Sequence, residues 1–201
     1  MPPSLSHVLT DFQKGIDSSI NLLSSIKSLG IPRIQVEIIV EMAFLRIFVT
    51  WEHFLEESFI RYAVGAASPS GYAPNTLIHP QNIGHALELI LSGRNYVPWN
   101  SASEVTRRSA LYFEGGEPYR RALDPAAAEL DEMNTIRNRI THKSVNSKNN
   151  FKAFIRTKFG HGIRGMTPGR FLLTLPASPP PNTFLDYYIE MIRISSSIIV
   201  P

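Results

Sequence analysis

From Arg33 to Val64 the chain runs without a glycine or proline, between Gly30 and Pro32 on one side and Gly65 with a Ser-Pro-Ser-Gly turn on the other. So long a stretch without a breaker is one long helix, because Gly and Pro are the residues that end helices. Its apolar residues cover most of the circumference of a helical wheel. That predicts a central helix, buried on nearly all sides in a bundle.

The flanking segments fit such a bundle. Leu5, Val8, Leu9, Phe12, Ile16, Ile20, Leu23 and Ile26 follow helical spacing, so a first helix is expected from Ser4 to Leu29, stopped by Gly30 and Pro32. A shorter helix is expected from Gln81 to Leu91. Residues 94–120, with Pro98, Gly115, Gly116 and Pro118, are expected to be mostly loop, with a short helix around Ser103–Tyr112. Asp124 is placed to N-cap, with Pro125 at the first helical position, and a helix from Ala126 to about Ser144 follows. Residues 150–159 add a turn or two. Gly160, Gly162, Gly165, Pro168 and Gly169 then form an irregular basic loop, Phe171–Leu175 a short strand or extended tail, and Thr183–Ile199 the last helix. With no internal repeat and no linker, the expectation is a single domain over residues 1–201. Its fold class is all-α, an up-and-down helical bundle with the irregular basic loop between the helix at 126–144 and the C-terminal helix. The closing Ile-Ile-Val-Pro should pack on the bundle or on a partner.

Composition narrows the chemistry. The chain is 43% hydrophobic and contains no cysteine, which excludes disulfides, thiolate metal sites and a cysteine nucleophile. Met-Pro-Pro-Ser-Leu-Ser has no basic region leading an apolar core, so no signal peptide is expected. No apolar run approaches a membrane span, and a cytoplasmic location is expected. The net charge is only +3, yet it is unevenly spread. Met133 to Arg170 holds no Asp or Glu, while Arg137, Arg139, Lys143, Lys148, Lys152, Arg156, Lys158, Arg164 and Arg170 all fall within it. Folded onto one surface, these residues would attract a polyanion such as RNA. The plainer alternative is a solvated basic face.

Inside that segment lies Arg137-Asn138-Arg139-Ile140-Thr141-His142. On an ideal helix Met133, Ile136 and Ile140 share one side and face the core. Asn134, Arg137, Asn138, Thr141 and His142 share the other, within a stripe roughly 140° wide. A merely solvated helix face would carry Lys, Glu and Gln. This one instead offers a histidine able to take and give a proton near neutrality and an arginine whose planar fork suits phosphate oxygens. Asn138, one turn before His142, can orient the ring or bind substrate. RNA brings its own nucleophile in the 2′-hydroxyl, so its cleavage needs only acid/base and cationic groups. No Asp/Glu/His cluster has metal-ligand spacing, and neither a metal nor another cofactor is expected. Arg137 and His142 lie at opposite edges of the stripe, a separation that a two-fold dimer would close.

The Arg-Asn-x-x-x-His string, with four residues between Arg137 and His142, resembles the motif of the HEPN superfamily of RNases. The layout is similar too, with Trp51-Glu52-His53-Phe54-Leu55-Glu56 in a long early helix and Phe-Glu-Gly-Gly at 113–116 ahead of the motif helix. It most resembles the RiboL-PSP and MAE-type branch. The resemblance implies an HEPN-like bundle and a homodimeric, metal-independent endoribonuclease with a composite site. Such an enzyme leaves a 2′,3′-cyclic phosphate and serves as a toxin or anti-phage effector beside an antitoxin or another neighbouring-gene partner. The alternative is a non-catalytic HEPN-like dimerisation or RNA-binding module serving a partner protein. Where some members carry a modifiable Tyr two residues after the His, this chain has Ser144.

On this reading Arg137, Asn138 and His142 are catalytic, with Glu52 as a supporting carboxylate. Arg139, Lys143, Lys148 and Lys152 bind substrate. Glu52 projects among Leu45, Phe48, Leu55 and Phe59, where an unpaired carboxylate would be costly; Glu41 has a weaker claim to the same role. His7, His53, His79, His85 and His161 read as ordinary histidines, and Trp51 and Phe54 as core. Arg107 with Arg108, and Arg120 with Arg121, are either RNA-phosphate contacts or solvated charges.

Overall fold

A computed structural model describes residues 4–27, 30–176 and 183–201. The described residues form nine α-helices and one short 3₁₀ turn, with no strand beyond an isolated bridge between Thr76 and Phe113. The fold is an all-α helical bundle. Its helices are α1 (Leu5–Lys27), α2 (Arg33–Ala63), α3 (Ile83–Leu91), α4 (Ala102–Tyr112), α5 (Tyr119–Leu123), α6 (Ala127–Thr141), α7 (Val145–Phe159), α8 (Pro168–Leu172) and α9 (Phe184–Ile199). The expected end of the first helix, at Leu29, falls outside the described residues.

The chain divides into two compact units. The first comprises Met1–Lys14, Thr50–Leu130 and Ile192–Pro201; the second comprises Gly15–Val49 and Asp131–Met191. The first is built on aromatic packing. Phe12 lies 4.8 Å from Phe54 and 5.8 Å from Trp51, centroid to centroid. Phe59 is ringed by Trp99, Tyr112, Phe113 and Tyr119 at 4.9–5.4 Å. Full burial of each such ring stabilises by about 1.5–3 kcal/mol, which is what makes the later part of α2, from Thr50 to Ala63, the centre of this unit. Two polar tips are satisfied, since Tyr119 donates to Ser58 at 3.0 Å and Tyr62 to the Ile199 carbonyl at 2.7 Å, whereas the buried Trp99 Nε1 has no hydrogen-bond partner among the described residues. The C-terminal residues Ile199 and Val200 are buried here, so that end packs within its own unit.

In the second unit the stretches of α1, α2, α6 and α9 that belong to it join α7 and α8. Phe171 stacks on Phe184 at 4.4 Å, with Phe154 and Phe159 against its edges. Glu132 accepts from Lys158 at 2.8 and 2.9 Å and from the Tyr188 hydroxyl at 2.7 Å, tying α6 to α7 and α9.

Four features differ from the sequence reading. α2 is not buried all round: Ile34, Ile38, Met42 and Val49 are 68%, 53%, 65% and 58% exposed. They lie within about 80° of one another on the helix, a continuous apolar stripe facing outward. Asp124 does not N-cap the motif helix. Its backbone is helical (φ −61°, ψ −42°) and it closes α5, so α6 begins at Ala127. Residues 145–159 form a full helix rather than a turn or two, because the Ser144 side chain accepts from Ser147 N–H at its start and Gly160, at φ 76°, ends it. Finally, 168–172 is a helix where a strand or tail was expected and where the basic loop was to continue. Thr167 caps it with Pro168 in its first turn, the same cap-and-proline signal expected at 124–125.

Gly169 shows why α8 sits where it does. A Cβ at this position would run into the backbone of Glu37, so only glycine allows α8 to press onto α2. Two hydrogen bonds complete that contact: Gly169 N–H donates to Glu41 at 2.9 Å, and the Thr167 hydroxyl to Glu37 at 2.8 Å.

Candidate functional site

The motif residues lie on α6 and just past its end, within the second unit. Met133 and Ile136 are fully buried, as their spacing requires, and Ile140 is half-buried. On the other side Asn134, Arg137 and Asn138 are half-buried, while Thr141 and His142 are exposed. Burial on one side thus sets which residues the helix presents on the other.

The polar side chains form a chain of contacts. Arg137 Nη1 donates to Asn138 Oδ1 at 3.1 Å, and Asn138 Nδ2 donates to Asn134 Oδ1 at 3.4 Å. The amide of Asn138 therefore orients the guanidinium of Arg137. Its link to His142 is through the backbone alone, since His142 N–H donates to the Asn138 carbonyl at 3.0 Å.

His142 is held differently. Its carbonyl accepts from the Ser147 hydroxyl at 2.5 Å and from Arg139 Nη1 at 3.4 Å. Ser147 is buried and also reaches the Ser144 carbonyl at 3.0 Å, while Ser144 Oγ caps α7 by accepting Ser147 N–H at 3.1 Å. The Ser-x-x-Ser turn between α6 and α7 therefore pins the His142 backbone. The imidazole is exposed and makes no hydrogen bond among the described residues. The result is an imidazole on an anchored backbone, five residues (about 1.4 helical turns) along from an oriented arginine.

Arg139 is exposed less than an ordinary surface arginine, and its charge acts on Glu41 of α2. The Glu41 carboxyl is held above the usual carboxylate range, first by burial and also by the neighbouring Glu37. The Gly169 hydrogen bond and the charge of Arg139 oppose this. Glu41 is thus the carboxylate on which the charge of Arg139 acts in the second unit. Glu52, the acid favoured from sequence, is half-buried on α2 in the first unit.

The basic residues separate into two groups. Lys143, Lys148 and Lys152 are exposed. Lys158 is instead held by Glu132, with its ammonium 5.4 Å from the Phe184 ring centre. Each of the paired arginines has a carboxylate partner, with Arg107, Arg120 and Arg121 still more than half exposed. Arg107 and Arg108 both bind Glu104, at 2.7 and 3.0 Å, and Arg108 is only 6% exposed, where it also donates to the Ile90 carbonyl. Arg120 pairs with Asp124 at 3.5 Å and Arg121 with Glu117 at 3.4 Å.

Sequence inspection missed the anchoring role of Ser147, the connection of Glu41 to α8 and the orienting contact from Asn138 to Arg137. Of these, only the first has a local signature, a serine cap with its partner three residues on. Among the described residues no group of three or more His, Asp or Glu is arranged to hold a metal ion, and no helix is long and apolar enough to cross a membrane. The fold and site together define an all-α protein with an arginine, an amide and a histidine presented from one helix end. In comparison with known proteins, no family model matches the chain, and neither a curated protein nor a solved structure does.

Proposed function

We propose that the protein is a metal-independent endoribonuclease of HEPN type, working as a cytoplasmic homodimer in a toxin or anti-phage role. One observation carries this reading: His142 presents an unpaired, exposed imidazole on a backbone pinned by Ser147 and Arg139, at the end of the helix that carries an Arg137 oriented by Asn138. In the reaction His142 takes the proton from the ribose 2′-hydroxyl. The 2′-oxygen bonds to phosphorus, the P–O5′ bond breaks, and the departing 5′-oxygen receives a proton from water. The product is a 2′,3′-cyclic phosphate. Arg137 stabilises the charge that develops on the phosphoryl oxygens, and Lys143, Lys148 and Lys152 draw in the substrate. The apolar α2 stripe supports a homodimer, since exposed apolar surface of this kind marks an association face. An antitoxin or another neighbouring-gene product would restrain the enzyme.

Purified protein is expected to cut RNA in EDTA, and His142→Ala to stop cutting without altering the circular dichroism spectrum. Undiminished cleavage by that variant would sink the assignment. Mixing equal amounts of His142→Ala and Arg137→Ala subunits tests the composite site. If each site takes its arginine and histidine from different chains, half the dimers regain one of two sites, so activity returns to roughly a quarter of wild type.

A second reading is a non-catalytic HEPN-like dimerisation or RNA-binding module that serves a partner protein. It is favoured by the absence of any side chain orienting the His142 ring among the described residues. It predicts RNA binding without cleavage products, undiminished in His142→Ala.

A further inference from the structure

The helix following the motif carries a row of cations, of which the cleavage reading uses Lys148 and Lys152 only as a general attraction for the substrate. On α7, Phe151 and Ile155 point into the core, while Lys148, Lys152 and Arg156 are exposed. The three cations lie at successive i, i+4 positions, within about 80° of one another and about 6 Å apart along the axis.

This row runs against the helix's own stability. Like charges at i, i+4 repel, and a cation in the first turns opposes the helix dipole. Some helix cations elsewhere in the chain are matched: Arg33 has Glu37, Arg61 has Glu57, and Lys158, on the same α7, has Glu132. The row has no carboxylate within ion-pair distance among the described residues, and the sequence holds no acid between Glu132 and Asp186. It therefore leaves an unneutralised line of charge that an external polyanion would neutralise. The aromatic side chains of α7 take part in ring packing among Phe151, Phe154, Phe159, Phe171 and Phe184. No aromatic is exposed on this face as a platform for a base.

We propose that α7 is a rail for one RNA strand, on which Lys148, Lys152 and Arg156 each neutralise one of three successive phosphates without reading base identity. This rests on the proposal that RNA is the substrate and extends it. It adds Arg156 to the binding surface, excludes Lys158, which is committed to Glu132, and makes binding independent of sequence and of the 2′-hydroxyl. A single row on a convex helix follows one strand; it has no second row for a complementary strand.

The test measures binding apart from cleavage, with fluorescein-labelled U12 and dT12 titrated by anisotropy against full-length His142→Ala protein at 50 and 200 mM KCl. Three phosphate contacts on a single strand contribute a salt slope of about −2, so the row accounts for roughly a 20-fold loss of affinity between those salts. Lys148→Ala/Lys152→Ala/Arg156→Ala in the same background should lose that component, and Lys152→Ala alone about a third of the slope. Alanine favours helix, so α7 should persist by circular dichroism; the charge-preserving set Lys148→Arg/Lys152→Arg/Arg156→Lys should retain the full slope. The rail is overturned if the alanine set binds U12 with unchanged affinity and slope, if U12 binds and dT12 does not, or if poly-glutamate competes as well as RNA of equal charge. If wild-type protein cuts no RNA while the row still governs U12 binding, the rail stands and the nuclease reading falls.

Discussion

Replacing Ser147 with alanine tests whether the turn between α6 and α7 holds His142 in place. The serine is 7% exposed, and its hydroxyl reaches the His142 carbonyl at 2.5 Å and the Ser144 carbonyl at 3.0 Å. Removing it deletes at least one hydrogen bond, which contributes about 0.5–1.5 kcal/mol net. The His142 carbonyl keeps Arg139 Nη1, but at 3.4 Å that is a weak substitute. The Ser144 cap on the Ser147 N–H survives, because it uses the backbone of residue 147. The sum is about 1 kcal/mol, which in a chain of this size lowers Tm by about 2–4 °C. The local effect should exceed the global one. Amide exchange over residues 142–148 is expected to speed up while α2 and α4 keep their protection and, under the proposed nuclease activity, RNA cleavage to fall on the order of tenfold in kcat with little change in KM. That loss stays inside the ~100-fold that an ångström of misplacement can cause. Unchanged exchange at 142–148 would refute the anchoring role, whatever happened to activity. Faster exchange with unchanged cleavage would separate anchoring from catalysis.

Two further perturbations test the α2–α8 contact. Because the folded chain holds the Glu41 carboxyl above its ordinary value, the folded state binds that proton more tightly than the unfolded state. Its contribution to stability is fully present below the ordinary carboxylate pKa and is lost as pH rises through the raised folded value. Glu41→Gln keeps an acceptor for Gly169 N–H, so urea midpoints should favour the variant increasingly from acid to neutral pH; a trend of opposite sign would mean that Arg139 and the hydrogen bond outweigh burial. Gly169→Ala places a methyl against the Glu37 backbone and is expected to cost about 1–3 kcal/mol or to lift α8 away, read as a lower chemical-denaturation midpoint; an unchanged midpoint would show that the contact yields freely.

Local rules made much of the helical framework legible. α2 could be read because breakers flank a long apolar run. The buried side of α6 followed from the spacing of Met133 and Ile136. Cap residues misled where two signals competed: Asp124-Pro125 looks like a helix start, yet the preceding α5 claims Asp124 as its end. The weaker Ser144 and Thr167 signals did start helices, because α7 and α8 gain stability from burying Phe151, Ile155, Phe171 and Leu172.

The amino-acid sequence alone determined an all-α chain, a polar stripe at Arg137–His142 and an acid-free basic segment, because each depends on residues near one another along the chain. Partners separated by many residues were a matter for the tertiary structure. It set Glu132 against Lys158 and Tyr188, Glu41 against Gly169, and Arg108 against the Ile90 carbonyl. It also decided which charges stay open, since a basic side chain's role depends on whether folding brings a carboxylate to it. Sequence spacing cannot specify that meeting when the partners come from different helices. The exposed apolar stripe of α2 has the same origin. A helical wheel counts apolar residues, but only packing determines which of them find something to cover them.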